Sequence, residues 1–404
     1  MLLNLILFAV VILAIITSAR LLLVFQFAAE LRGKKAHEIS DSENNMNALL
    51  TLLSLVGLFA MFFYLTATYY NEKYIPGAAS EHGVEVDSLL NLNFIVISLA
   101  FFITQLLLMW FAYKYRYNKK RRATHYAHND KLEMIWTVVP AIVMAVLVLK
   151  GLIVWNHTTN PSPDKNTLNL ELYARQFDWT ARYSGKDNAL GKASYTMING
   201  GNILGLISAD AIQEQLTIVR GDSLVVDSTV TLGFLPAEKL EDEKTRLRRL
   251  VHQIRTVAEF DYQFKSGSES YAASHDDVLV RDTIILPVNR PVKLHMRSQD
   301  VIHSAYLPHF RVHMYCVPGS ETYFAFKPIT TTKEMKKKLN DPEFEYRLYC
   351  NNICGSTHFN MMLPVRVVSE KEYAAWLSAK STFADETKTR LAKMGLKSNF
   401  AKNN

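Results

Sequence analysis

Cysteine is scarce in this chain. Of 404 residues only three are cysteine, at positions 316, 350 and 354, too few for a disulfide framework. No Cys-x-x-Cys-His run occurs, so no c-type haem is expected on the chain. A basic patch interleaved with aromatics is also missing, and the formal charge of +7 therefore does not argue for a nucleic-acid partner. The densest basic run, Lys119, Lys120, Arg121 and Arg122, directly follows an apolar segment and reads instead as a cytoplasmic anchor. Cys316, set apart from the other two, reads as a small buried hydrophobe.

Hydrophobic residues make up 49% of the sequence, but they are unevenly placed. Four runs are long enough for a bilayer core, which takes about 20 residues: Leu2 to Ala19, Ala48 to Tyr70, Phe94 to Tyr113 and Met134 to Trp155. The first lacks the basic n-region of a signal peptide and is expected to remain as a membrane helix. Arg20, Arg32, Lys34 and Lys35 separate runs one and two, and Lys114, Arg116, the 119–122 cluster and Lys131 separate three and four. Between two and three, Lys73 is the sole Lys or Arg. The positive-inside rule then puts both basic loops in the cytoplasm and everything beyond Trp155 outside, in the periplasm or its equivalent.

The chemistry gathers between Cys350 and Met361, where Cys350, Cys354, His358 and Met361 crowd one loop. Thiolate with thioether is a soft ligand set that selects copper over hard cations. A disulfide between Cys350 and Cys354 is one competing reading. A closed tetrahedral zinc site is another, but it leaves Met361 without a task. A copper loop needs a remote ligand to tie it to the sheet, and His303, in Asp300-Val301-Ile302-His303-Ser304 after a strand-like run, is the candidate.

This loop resembles the dinuclear copper (CuA) loop of subunit II of the haem-copper cytochrome oxidases, where Cys-x-Glu-x-Cys-Gly-x-x-His-x-x-Met is completed by the His of an Asp-Val-x-His-Ser segment. The resemblance implies two copper ions bridged by Cys350 and Cys354, capped by His303 and His358, with Met361 and the backbone carbonyl of Asn352 as weak ligands. Asn352 stands where the family usually has Glu, whose side chain holds a magnesium or manganese shared with subunit I. A carbonyl survives that change; the magnesium site is left in doubt. A second likeness lies in Glu133-Met134-Ile135-Trp136-Thr137-Val138-Val139-Pro140, which matches the Glu-x-x-Trp-Thr-x-x-Pro opening of the family's second membrane helix. There the Glu is associated with the entrance of a proton path, a role that would fall to Glu133; a solvated carboxylate at a helix N-terminus is the plain alternative. Trp136 reads as an interfacial anchor and Pro140 as a tolerated kink.

Beyond the membrane a linker, Asn156 to Asn166, leads to Leu168–Tyr183, which alternates like one strand. The family carries Gln-Trp-x-Trp here, its first Trp receiving electrons; this chain has Phe177 and Trp179 at the two aromatic positions. Residues 185–277 are longer than the family's connection, and within them Leu240–Phe260 shows one amphipathic helix. Strands are expected over Val278–Leu286, Val292–Arg297, Tyr323–Phe326, Phe344–Tyr349 and Leu363–Val368. Thr330–Asp341 reads as a solvated lysine-rich loop, Lys371–Leu377 as the start of a terminal helix, and His309 and His313 as surface or hydrogen-bonding histidines.

The expected architecture is membrane α plus all-β: four transmembrane helices followed by a cupredoxin-like β-sandwich with a mixed insertion. The boundaries read as 1–70 for two added helices, 71–155 for the family's helix pair, 156–378 for the dicopper domain with an insertion at about 186–277, and 379–404 for a polar basic tail. The resemblance implies a multi-pass protein of a bacterial inner membrane. It would take electrons from cytochrome c, or from a haem-bearing donor complex, and pass them to subunit I for oxygen reduction coupled to proton pumping. Its partners would be subunit I, other oxidase subunits and membrane lipid. Rival readings are a dicopper subunit of a nitric oxide reductase-type complex and a non-redox copper-binding assembly protein.

Overall fold

A computed structural model describes the chain apart from residues 1, 32–39, 70–75, 119, 160–165, 232–235, 265–272 and 399–404. It divides into two compact units, Met1–Tyr74 with Leu92–Val139, and Ile75–Asn91 with Pro140–Asn404.

The first unit is helical. Helices α1 (Leu2–Leu31), α2 (Asp41–Tyr69), α3 (Glu81–Lys114) and α4 (Asp130–Thr159) cover the four apolar runs. Among the described residues three helices are long and apolar enough to cross a membrane, Asp41–Tyr69, Glu81–Lys114 and Asp130–His157. Their apolar side chains lack an inward stripe; Leu53, Phe63, Ile95, Leu108 and Ile142 are all exposed, the pattern of a helix whose solvent is lipid. A capping box starts α2, with Ser40 Oγ accepting from the Glu43 N–H at 3.2 Å and Glu43 Oε2 accepting from the Ser40 N–H at 3.0 Å. Helices α2 and α3 meet through an aromatic cluster in which Phe59 and Phe63 pack on Phe102 at 4.8 and 5.5 Å between centroids. Asn129 caps α4, its Oδ1 accepting from the Leu132 N–H at 3.1 Å, and the helix continues through Pro140.

The second unit is a β-sandwich like the cupredoxin fold. Its strands are β1 (Leu168–Arg175), β2 (Asp178–Tyr183), β3 (Val278–Val280), β4 (Ile284–Pro287), β5 (Val292–Ser298), β6 (His303–Leu307), β7 (Val312–Cys316), β8 (Thr322–Phe326), β9 (Tyr346–Cys350) and β10 (Met362–Val368). One five-stranded sheet runs β3-β2-β1-β5-β8 and the other β4-β10-β9-β6-β7. In β5 the side chains alternate by the two-residue period of a strand, with Val292, Leu294 and Met296 buried and Lys293, His295 and Arg297 turned out. Leu170, Trp179, Tyr183, Leu286, Phe310, Tyr346 and Val365 help fill the space between the sheets. Burying each large apolar side chain there stabilises the fold by about 2 kcal/mol.

The structure departs from the sequence reading in several places. Leu168–Tyr183 is two antiparallel strands, Arg175 paired with Asp178 across a turn at Gln176 and Phe177. Val278–Leu286 likewise divides, β3 joining one sheet and β4 the other, so the break at 281–283 carries the chain across the sandwich. Among its described residues the insertion holds two α-helices rather than one, α5 (Ala209–Thr231) and α6 (Leu240–Phe264). Ala211 and Val219 of α5 are buried with Leu247 and Ile254 of α6 in a separate small core that also contains Met197, Leu204 and Leu206; that packing overrides the weak helix propensity of a β-branched stretch.

The lysine-rich excursion is a helix, α7 (Thr332–Leu339), started by a Thr331–Glu334 capping box and anchored by buried Met335. After α8 (Glu370–Ser378) the supposed tail forms α9 (Phe383–Lys393), whose Phe383, Thr387 and Leu391 are buried. Arg390 binds Glu214 of α5 at 2.7 Å, and the Phe383 N–H donates to the Asp277 carbonyl at 2.7 Å.

Candidate metal centre

Strand alternation delivers the first ligand. Tyr346, Leu348 and Cys350 share the inward face of β9, and β6 lies beside it with Ala305 opposite Cys350. His303, two residues before Ala305 on the same face of β6, is fully buried. Met362 opens β10 opposite Tyr349 of β9, so 351–361 is the connection between two paired strands. The Cys350 N–H donates to the Met361 carbonyl at 3.0 Å and pins its ends. Gly355, at φ +143°, lets the loop fold back on itself, and a 3-10 turn at His358–Asn360 brings Met361 inward to 2% exposure.

Six donor groups meet as a result. His303 Nδ1 lies 3.7 Å from Cys350 Sγ, Cys350 Sγ 3.9 Å from Cys354 Sγ, and Cys354 Sγ 3.6 Å from His358 Nδ1. Met361 Sδ is 3.8 Å from Cys354 Sγ, and the Asn352 carbonyl oxygen 3.2 Å from Cys350 Sγ. Both cysteines are free thiols, which leaves the disulfide reading unsupported. Donors held 2.0–2.3 Å from one metal at a tetrahedral angle stand roughly 3.3–3.8 Å apart. Most of the separations match that spacing, and thiol, imidazole and thioether together are a soft-metal set.

The electrostatics point the same way. Burial pushes the Cys350 thiol up, but hydrogen bonds from His303 and from the main chain at Ser304 and Asn352 outweigh it and bring it down to about 6. Burial and the neighbouring Cys350 charge push Cys354 up to about 11. Burial works against protonated His303, yet contact with Cys350 and with Asp300 raises it. One thiolate therefore forms readily beside an imidazolium, whereas a second negative sulfur 3.9 Å away needs added positive charge, which a bound cation supplies. The residues fit a thiolate-bound metal.

The aromatic pair before the loop is also here. Trp179 is buried, its ring 6.3 Å from that of His303. Phe177 is half-buried and covers Gly355, where an added Cβ would come within 2.8 Å of its ring. Two residues that spacing did not flag touch the centre as well: Asp300 Oδ1 accepts from His303 Nε2 at 2.8 Å, and Gln176 Nε2 donates to the Cys354 carbonyl. Ile353 and Phe359, 85% and 82% exposed, give the loop an apolar outer surface.

Other residues fall elsewhere. Glu133 sits exposed in the first turn of α4, in the helical unit. Cys316 is wholly buried, as expected of a small hydrophobe, and burial pushes its thiol up to about 12. His309 packs against Phe344 and Tyr346, and burial with the Arg311 charge brings it down to about 4. His313 is exposed beside Asn351. A cavity of about 720 Å³ lies away from the sulfurs, between the outer face of β1, β2 and β5 and the insertion; a metal centre coordinated by side chains needs no such space.

Comparison with known proteins identifies the family. Residues 67–154 match the model of the cytochrome c oxidase subunit II transmembrane domain, and 255–368 that of its periplasmic domain. The chain belongs to the cytochrome c oxidase subunit II family. It is 25% identical over 300 residues to the alternative cytochrome c oxidase subunit 2 of Bradyrhizobium diazoefficiens, covering 74% of this chain and 81% of that one. With cytochrome c oxidase subunit 2 of Cereibacter sphaeroides it shares 23% identity over 286 residues, covering 70% of this chain and 71% of the other. Among solved structures, the periplasmic domain of subunit II of Bradyrhizobium japonicum cytochrome oxidase matches over 54% of this chain and 94% of that one, at 17% identity and a TM-score of 0.26. This subunit II is thus part of a respiratory oxidoreductase, a membrane protein with a periplasmic sandwich.

Proposed function

We propose that this subunit II is the electron-receiving subunit of a cytochrome c oxidase in a bacterial inner membrane, working through a dinuclear copper centre. Cys350 and Cys354 would bridge the two copper ions, His303 and His358 would each cap one, and Met361 and the Asn352 carbonyl would be the weak ligands. The observation that carries this is the meeting of six donors from two separate segments at 3.2–3.9 Å. Copper bridged by two thiolates supplies a one-electron carrier whose charge is shared between two ions. The chain's own task is to hold those donors still, because any rearrangement between redox states adds to the transfer barrier. Strands β6 and β9 fix His303 and Cys350, and Asp300 fixes the imidazole ring.

Electrons would come from cytochrome c or a haem domain of a partner complex, by way of Phe177 and Trp179, and leave toward a haem-copper subunit I that reduces oxygen to water and pumps protons. Half-buried Phe177 would face the donor, with buried Trp179 behind it next to His303. Asn352 offers no carboxylate, which argues against a magnesium ion at that side chain; its Nδ2 donates to the Ile302 carbonyl at 2.9 Å. Glu133 would stand at a proton-path entrance; normal proton-uptake kinetics in Glu133→Gln would return it to a helix-end carboxylate.

The deciding experiment is metal analysis with optical and electron paramagnetic resonance spectra of the isolated membrane complex. Two coppers per subunit II with a mixed-valence signal are expected. Zinc, or a single copper lost on mild chelation, would sink the reading in favour of a structural or copper-delivery role.

A further inference from the structure

We propose that Gln176 is a positioning residue for the sulfur and imidazole centre, joining the β1–β2 turn to both of the segments that supply ligands. The inference rests on the copper reading above.

Gln176 is exposed, and an exposed glutamine in a turn ordinarily has little effect on stability. Its contacts are not ordinary. Its side-chain Nε2 donates to the carbonyl of Cys354, the bridging position of the loop. Its backbone N–H donates to Asp300 Oδ2 at 2.7 Å, and the other oxygen of that carboxylate accepts from His303 Nε2 at 2.8 Å. Asp300 is further held by the Val301 N–H at 2.7 Å. One residue therefore reaches a cysteine through its amide and a histidine through its main chain.

The close fit of the turn on the loop supports this. At Gly355 a Cβ would lie 2.8 Å from the Phe177 ring and 2.9 Å from Gln176 Nε2, so a glycine is what lets the turn lie against the loop. Because Asp300 accepts the hydrogen bond of His303 Nε2, the ring is held with Nδ1 facing Cys350. The amide of Gln176 does the corresponding work for Cys354: it holds the peptide that sets the direction of the second sulfur.

Two substitutions in the intact complex test the amide contact. Gln176→Glu keeps the shape and removes the N–H donor; Gln176→Lys keeps a donor of similar reach. Loss of a partner that orients a ligand typically costs 10–100-fold in metal affinity, so in Gln176→Glu chelator should remove copper about 10-fold faster, with an altered copper–thiolate spectrum. In metal-free protein, amide hydrogen exchange over Gly355–His358 should quicken. Gln176→Lys should restore all three toward wild type. A wild-type spectrum and chelation rate in Gln176→Glu, or equal changes in both variants, would overturn the proposal. Copper missing from the wild-type complex would instead overturn the reading it rests on.

Discussion

Two clusters of buried polar side chains sit in the extramembrane unit, and they are built to opposite rules. In the ligand cluster His303, Cys350 and Cys354 are buried together, yet their donor atoms stand 3.7 and 3.9 Å apart. Those are the long contacts of sulfur, not the close bonds of nitrogen and oxygen. On the outer face of the other sheet, Glu171 accepts from both Arg182 and Arg297, and Arg182 reaches Asp277 at 2.9 Å and the Gly191 carbonyl at 2.7 Å. There charge meets charge directly, and the insertion is held to the sandwich. A cluster whose members keep metal-coordination distances fits a bound ion, whereas one closed at hydrogen-bond distance is a fastening.

The sharpest way to break this contrast is to remove a sulfur. Cys350→Ser or Cys354→Ser should abolish the copper spectrum and oxidase turnover while the domain still folds. Asn352→Ala is the matched control: only its main-chain oxygen faces the centre, so copper should stay. A surviving spectrum in either cysteine variant refutes the ligand assignment.

The fastening should fail differently. Arg182→Leu strands the buried Asp277 carboxyl and leaves Glu171 with Arg297 alone, and breaking a buried pair in this way costs about 3–5 kcal/mol. The expected result is a lower melting temperature and proteolysis within 186–277, with the copper spectrum unchanged in the protein that remains folded. Loss of copper in step with stability would mean the two clusters are one cooperative unit.

The smallest effect is a pH slope. Burial, opposed by the Arg182 guanidinium and the Gly191 N–H, raises the Asp277 carboxyl to about 7. An acid raised on folding contributes stability that is full below its unfolded value, about 4, and is lost as pH rises through about 7. Protease resistance of the insertion should thus be greater at pH 5 than at pH 8, and Asp277→Asn should flatten the difference. An identical slope in both proteins would exclude Asp277 as its source.

Much of this was legible in the sequence because the chemistry is local. Five of the six proposed ligands lie within the twelve residues from Cys350 to Met361, and the strand alternation of Val292–Arg297 was plain. What escaped depends on contacts distant in the chain. Gln176 meets Cys354 across 178 positions, and the turn beside it contains none of the Gly, Asn or Asp residues that announce a hairpin. Helix α5 escaped because Thr217, Ile218, Val225 and Val226 favour strands and Gly221 favours neither state; only its packing with α6 and α9 makes it helical. In α7 three consecutive lysines hid one anchoring methionine, although the Thr331–Glu334 cap was there to be seen.

Helix α9 follows the last strand of the sandwich but returns to rest on α5. The insertion and the C-terminal helix, separated by the greater part of the sandwich, therefore pack as one unit. A chimera given residues 186–277 without 379–393 would receive a graft stripped of its lid, with Leu391 and Phe383 missing from its seam. In evolution the two stretches would be expected to arrive, drift and disappear together.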